Sequence, residues 1–151
     1  MNIQTKYLGE ITIDPKKIVT FANGLPGFKN EKQFILLPIP EAAPESFQTL
    51  QSIQTPELAF VVTNPYQIYH DYEFRLDQPT IDQLAITSEQ DLFILTIVTL
   101  TSPFEQSTIN LKAPIIINVK TKRGKQYILN DDTYPTKAPL VNKDTKQSGG
   151  D

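Results

Sequence analysis

Cysteine is missing from all 151 residues, histidine occurs once, and no apolar run is long. Without a thiol there is no zinc–thiolate site, no disulfide framework and no cysteine nucleophile. A lone imidazole, His70, restricts acid–base chemistry to whatever carboxylate stands beside it, here Asp71. The longest apolar stretches, Phe93 to Val98 and Pro114 to Val119, fall far short of the ~20 residues that cross a bilayer. The opening MNIQTKYLGEITID lacks an apolar segment followed by a small-residue cleavage site, so no signal peptide is expected. These absences predict a cytoplasmic protein without a membrane partner. Basic excess is lacking as well: the net charge is −3, which argues against nucleic acid as the direct partner.

The charge is unevenly distributed. Asp71 to Asp91 contains Asp71, Glu73, Asp77, Asp82, Glu89 and Asp91 against the single base Arg75. Lys112 to Lys125 contains Lys112, Lys120, Lys122, Arg123 and Lys125 with no acid. If each stretch takes its own face, the domain is electrostatically two-sided, and the acidic face steers a basic protein partner. Ordinary solvated strand edges explain the same pattern equally well.

Proline is plentiful, at 12 residues, and helical periodicity is scarce, so strands and turns are expected. Tyr7, Gly9, Ile11 and Ile13 alternate with Lys6, Leu8, Glu10 and Thr12 as in a strand with one inward face. Ile18–Phe21 and Phe34–Leu37 form two more strands around Asn23-Gly24-Leu25-Pro26-Gly27, where glycine and proline chemistry predicts an ordered turn. Leu58–Thr63 reads as a strand stopped by Asn64-Pro65. Tyr72, Phe74 and Leu76 alternate with Glu73, Arg75 and Asp77, a strand exposing charge on one side. Pro79–Leu84 is the helix candidate, with Thr80 as its cap. Leu92–Leu100 fits a strand covered on both faces. Ser107–Leu111 and Ile115–Lys120 follow, broken at Ala113-Pro114. Gly124 is expected to turn the chain back into Gln126–Leu129 as a hairpin. The whole is an all-β pattern of a sandwich or barrel with one or two short helical turns. Residues 1–140 form the domain, and the polar stretch 141–151 a loose tail.

No constellation of catalytic residues emerges. His70 with Asp71 has no Gly-x-Ser-x-Gly turn to supply a nucleophile, and Asp131-Asp132 stand where turn formers are expected. Gly24, Gly27 and Gly124 form no phosphate-binding loop, and no residues have metal-ligand spacing. The expectation is a protein that is not an enzyme and needs no cofactor or metal. The hairpin at 120–125 with Tyr127 supports an alternative, a small ligand- or RNA-binding barrel, although such charges also protect strand edges.

The remaining signal lies in apolar and aromatic residues beside turns. Phe47, Leu50 and Ile53 have helix-like spacing within a proline-bounded segment, and Tyr66, Tyr69, Tyr72 and Phe74 crowd together. Half of these should fill the core and half serve an interface. Candidate partner-binding residues are Phe47, Leu50, Gln51, Asn64, Asp71, Glu73, Asp77, Ile109 and Asn110. An amphipathic helix laid into a groove along Phe47, Leu50, Ile109 and Leu111 is the expected mode.

Several strings resemble one family in collinear order over about residues 3–140. Phe21-Ala22-Asn23-Gly24-Leu25-Pro26-Gly27-Phe28 resembles the opening motif of the FliW flagellar assembly factors. Phe47-Gln48-Thr49-Leu50-Gln51-Ser52 and Leu58-Ala59-Phe60-Val61-Val62 follow at the family's spacing. Asn110-Leu111-Lys112-Ala113-Pro114-Ile115-Ile116-Ile117-Asn118 resembles a further signature, and Gln126 and Tyr134 complete the match. The sequence departs from the family at Asn64, where Asp before the proline is common. The resemblance implies a small antiparallel β-barrel-like fold and a non-enzymatic role in flagellar filament biogenesis. It also implies two partners: flagellin, and the translational repressor CsrA, kept from silencing flagellin mRNA.

Overall fold

The computed structural model describes residues 1–39, 47–130 and 132–141. Most of 141–151, together with Asp131 and residues 40–46, lies outside the described residues. The chain opens with β1 (Asn2–Gln4) and β2 (Glu10–Thr12), an antiparallel hairpin with Ile3 opposite Ile11. The expected strand from Tyr7 to Ile13 is thus only half right. The chain turns before β2 at Gly9 (φ +67°), the Thr5 hydroxyl donates to the Gly9 carbonyl at 2.7 Å, and Tyr7 is left exposed.

The main sheet contains β3 (Val19–Thr20), β4 (Gln33–Pro38), β5 (Phe47–Ser52) and β6 (Ala59–Thr63). After the short helix α1 (Gln78–Gln83) come β7 (Leu92–Thr99), β8 (Thr108–Ile109), β9 (Ile115–Asn118), β10 (Arg123–Gln126) and β11 (Ala138–Pro139). The strand order β7-β6-β5-β4-β3-β10-β9 returns to its start because β9 also pairs with β7, so the sheet closes into a ring. All ring pairings are antiparallel except β3–β10, where Thr20 meets Arg123 in parallel. Strand β7 carries the closure. Leu92–Leu95 pair with β9, and Val98 and Thr99 pair with β8, which in turn holds β11.

Alternation along the strands sorts side chains between the inside and outside of the ring. Phe34 and Leu50, with Val62, Leu95, Ile115 and Ile117, fill the interior around Phe21. Ile35 and Leu37 point outward from β4 and are covered by Ile3 and Ile13 of the first hairpin. A second outer layer gathers Phe47, Val61, Val98 and Ile109 under Tyr72, Leu111, Ala138 and Leu140. Phe47–Ser52, whose spacing suggested a helix, is therefore a central strand of the ring, paired on both sides.

Three local expectations change. Tyr72–Leu76 joins no ladder although its burial alternates as expected. The N-cap of α1 is Asp77 rather than Thr80: its carboxylate accepts from the Thr80 N–H at 3.0 Å. Gly124 is not the hairpin turn but lies within β10. A Cβ there would stand 2.7 Å from Phe21 Cζ, so the missing side chain makes room for the core phenylalanine. The turn comes earlier, at Lys122 (φ 60°), with the Asn118 side chain accepting from the N–H groups of Lys120 and Thr121.

The Asn23–Phe28 segment is an ordered turn. The Phe28 N–H donates to the Leu25 carbonyl at 2.7 Å around Pro26 and Gly27 (φ +84°), the arrangement of a type II turn. Gly24 (φ +64°) is more constrained, since a Cβ there would meet the Phe28 carbonyl oxygen at 2.4 Å. Gly27→Val is expected to cost the ~1–2 kcal/mol of a left-handed backbone alone, because space around Gly27 is open. Gly24→Val should lower the melting midpoint further; equal midpoints for the two variants would contradict this account.

Candidate functional site

Residues 71–77 cross the outside of the ring as a strap held by phenols. Tyr72 is buried and donates its hydroxyl to the Leu111 carbonyl at 2.6 Å. Its ring lies 4.7 Å from Tyr134, 5.6 Å from Tyr66 and 5.4 Å from Phe74. Burial, with Tyr66 and Tyr134 adding to it, pushes the Tyr72 phenol well above the ordinary tyrosine range, so it stays a neutral donor. The Tyr134 and Tyr127 hydroxyls accept from the Glu73 and Asp77 N–H groups at 3.1 and 3.2 Å.

Beyond the strap, α1 is fastened to the β9–β10 hairpin. Asn118 Nδ2 and the Thr121 hydroxyl donate to the Leu84 carbonyl at 2.9 and 3.1 Å. Arg123 donates to the Gln83 carbonyl at 3.1 Å, and Lys125 Nζ lies 3.3 Å from Thr80 Oγ1 and Gln83 Oε1. Cations at the carboxyl end of a helix complement its unsatisfied carbonyls. Arg123 and Lys125, from the basic stretch, therefore pack against the helix that the acidic stretch contributes. Two of the five bases are engaged on α1, which also removes them from a nucleic-acid patch.

Between strap, helix and ring lies an open groove of about 660 Å³. Phe74 and Leu76 form one wall, Ile81 and Ile86 the other, and Leu92 and Ile94 on the outer face of β7 the floor. Glu73 and Glu89 stand at its rim, with Arg75 as the only base lining it among the described residues. None of the six apolar residues is fully buried. Sequence reasoning read Leu92–Leu100 as covered on both faces; the cover is complete over Val98 but stops short of Leu92 and Ile94.

The candidate residues divide into two groups. Leu50 and Ile109 are wholly inaccessible and Phe47 is 5% exposed, all three filling cores. Among the described residues no groove runs along them and Leu111, because Leu50 points into the ring while Phe47, Ile109 and Leu111 pack in the outer layer with Tyr72. Gln51 is buried too: its Oε1 accepts from the Lys6 N–H and its Nε2 donates to the Ser52, Pro56 and Leu58 carbonyls. Asn64 accepts from the Tyr66 N–H at 2.9 Å, capping a short 3-10 turn, a task Asp performs equally. Asn110 accepts from Lys112 and Ala113, both at 3.1 Å, forming the turn before Pro114. Asp77 caps α1. Asp71 and Glu73 remain exposed on the strap, and Glu73 reaches the groove. His70 is exposed, and Asp132 pairs with Lys112 at 2.8 Å. Among the described residues no three His, Asp or Glu side chains are grouped to hold a metal ion, and no helix is long and apolar enough to cross a membrane.

Ring and groove together define a small closed β-barrel with an acid-rimmed apolar groove on its outer surface. The FliW protein family model matches residues 2–140. A flagellar assembly factor FliW from Oceanobacillus iheyensis is 52% identical over 147 residues, covering 97% of this chain and 99% of that protein. The protein of the same name from Bacillus subtilis is 46% identical over 140 residues, covering 93% and 96%. A crystal structure of the flagellar assembly factor FliW superposes with a TM-score of 0.88 at 46% identity, covering 93% of this chain and 97% of that one. The chain belongs to the FliW family.

Two consequences are measurable. Phe47→Ala removes a core ring and should cost about 3–5 kcal/mol in denaturant unfolding, similar to Leu111→Ala; a loss under about 1 kcal/mol would place Phe47 outside the core. The Asp77 carboxyl is held below its ordinary value of 3.8, chiefly by its hydrogen bond to Thr80. A lowered pKa means that the charged cap stabilises above pH 3.8 and is lost as pH falls through the lower folded value. The stability difference between wild type and Asp77→Asn should therefore shrink on acidification through that range, and a constant difference would contradict it.

Proposed function

We propose that this chain is a cytoplasmic, non-enzymatic flagellar assembly factor that binds flagellin and the translational repressor CsrA. The observation that carries this reading is the near-complete match of the chain, in sequence and in fold, to flagellar assembly factors. The groove supports it physically: half-buried aliphatic side chains beside carboxylates suit a protein partner with apolar anchors and positive charge. CsrA, as an RNA-binding protein, should present such charge. In this scheme flagellin accumulating in the cell occupies the factor and frees the repressor, and secretion of flagellin lets the factor capture the repressor again. Nothing in the placement of Arg123 and Lys125 favours the alternative of an RNA-binding module, since both are engaged on α1.

The test is capture from a lysate of flagellated cells followed by mass spectrometry. Flagellin and the repressor should dominate, and recovery of neither would refute the proposal. Exchanging Asp71 and Glu73 for Lys should slow repressor association and remove most of its salt dependence while leaving the melting curve unchanged. Association of the wild type that is equally fast at low and high salt would refute steering by the strap.

A further inference from the structure

Between Glu73 and Leu76 the strap has the alternating burial of a β-strand but no neighbouring strand among the described residues. Its tethers lie at its ends, at the Glu73 and Asp77 N–H groups. The N–H and C=O groups of Phe74 and Leu76, which in extended chain point to the edge opposite the tethered Glu73 and Asp77 N–H groups, bond to no other group among the described residues. Backbone amides without partners persist only where water or a ligand reaches them, and here the groove lies directly alongside. Four residues of extended chain offer an edge about 13 Å long. Natural sheets cover, shorten or charge such edges; this one carries Glu73 and Arg75, is left uncovered among the described residues, and faces an apolar floor.

We propose that an extended segment of a protein partner adds to the Phe74–Leu76 edge as a β-strand. Its main chain pairs with the free amides, and alternate apolar side chains enter the groove against Ile81, Ile86, Leu92 and Ile94. Basic side chains between them face Glu73 and Glu89. The choice of a strand over a helix follows from the wall: a helix satisfies its own amides and leaves those of the strap unpaired. The choice of a basic partner follows from the rim, where the carboxylates of Glu73 and Glu89 outnumber the one base, Arg75, among the described lining residues, an excess that a second copy of this chain would repeat. This inference deepens the reading of the chain as a protein-binding factor and rests on it.

The probe is a synthetic capped octapeptide of alternating lysine and valine, titrated into the full chain. Binding should slow hydrogen exchange at the Phe74 and Leu76 amides and leave that of Arg75, which faces the tyrosine edge, unchanged. Methylating alternate peptide nitrogens, or replacing lysine by glutamate, should weaken binding by about tenfold or more. Leu76→Pro, which deletes one of the two donors on that edge, should weaken it similarly, and more than Leu76→Ala, which keeps the N–H. Equal affinity for the methylated and unmodified peptides, or strap amides that exchange at the same rate with and without peptide, would overturn strand addition, whatever the fate of the proline variant. Flagellin and repressor captured normally by a chain whose strap the peptide never protects would likewise overturn it and leave the proposed function standing. A wild-type chain that captures neither protein, yet shows the protected amides and the methylation effect, would support strand addition and remove the proposed function.

Discussion

Strand β7 bears two different neighbours along one edge, and the rest of the molecule follows from that division. Its first half, Leu92–Leu95, closes the ring against β9, while Val98 and Thr99 leave the ring to pair with β8. Closure removes the open edges that a strand-rich chain would otherwise present. It also encloses one set of alternate side chains, with Phe21, Phe34 and Leu50 completely inaccessible. The opposite set then points outward and needs its own cover. The first hairpin covers β4, and the strap with the C-terminal strand β11 covers β5, β6 and the far half of β7. At Leu92 and Ile94, where β7 belongs to the ring and not to the covered half, the outer cover is incomplete. The groove lies at that place.

The strap shows how a segment is held without a ladder. Tyrosine supplies an aromatic body for the outer core and a hydroxyl that still needs a partner when buried. Tyr72, Tyr127 and Tyr134 use those hydroxyls on main-chain groups, one donating and two accepting. The strap is thus fixed in place with part of its own backbone unengaged. The charges obey a related local logic. Arg123 and Lys125 meet neutral oxygens of α1, a helix contributed by the acidic stretch, so part of the basic stretch is spent within the fold.

Much of the fold was legible because it depends on periodicity and on turn chemistry. Six of the anticipated strands lie close to β3, β4, β6, β7, β8 and β9, and Asn23–Phe28 is the tight turn its glycines and proline indicated. Errors arose where a residue type serves two purposes. Gly124 suggested a turn and instead admits the ring of Phe21. Asp77 suggested a surface charge and instead caps α1. Phe47 and Leu50 have a spacing compatible with a helix, yet each lies on one of the two opposite faces of a strand. Of the site, Glu73 and Asp71 were visible as an acidic stretch; Ile81, Ile86, Leu92 and Ile94 were not singled out, although Ile81 helped mark the helix.

The sequence by itself determined the strand-rich architecture, the inward and outward alternation of side chains, and a family resemblance carried by motifs spread over the whole chain. Those properties reside in neighbouring residues and survive without knowledge of distant contacts. Only the tertiary structure decided which outward-facing residues are covered, which charges meet, and which amides are left without a partner. Each of these depends on pairings between residues tens of positions apart, such as Tyr72 with Leu111 or Asn118 with Leu84. Whether a half-apolar strand face becomes core or groove is settled by the segment lying over it, and local pattern carries no record of that segment's path.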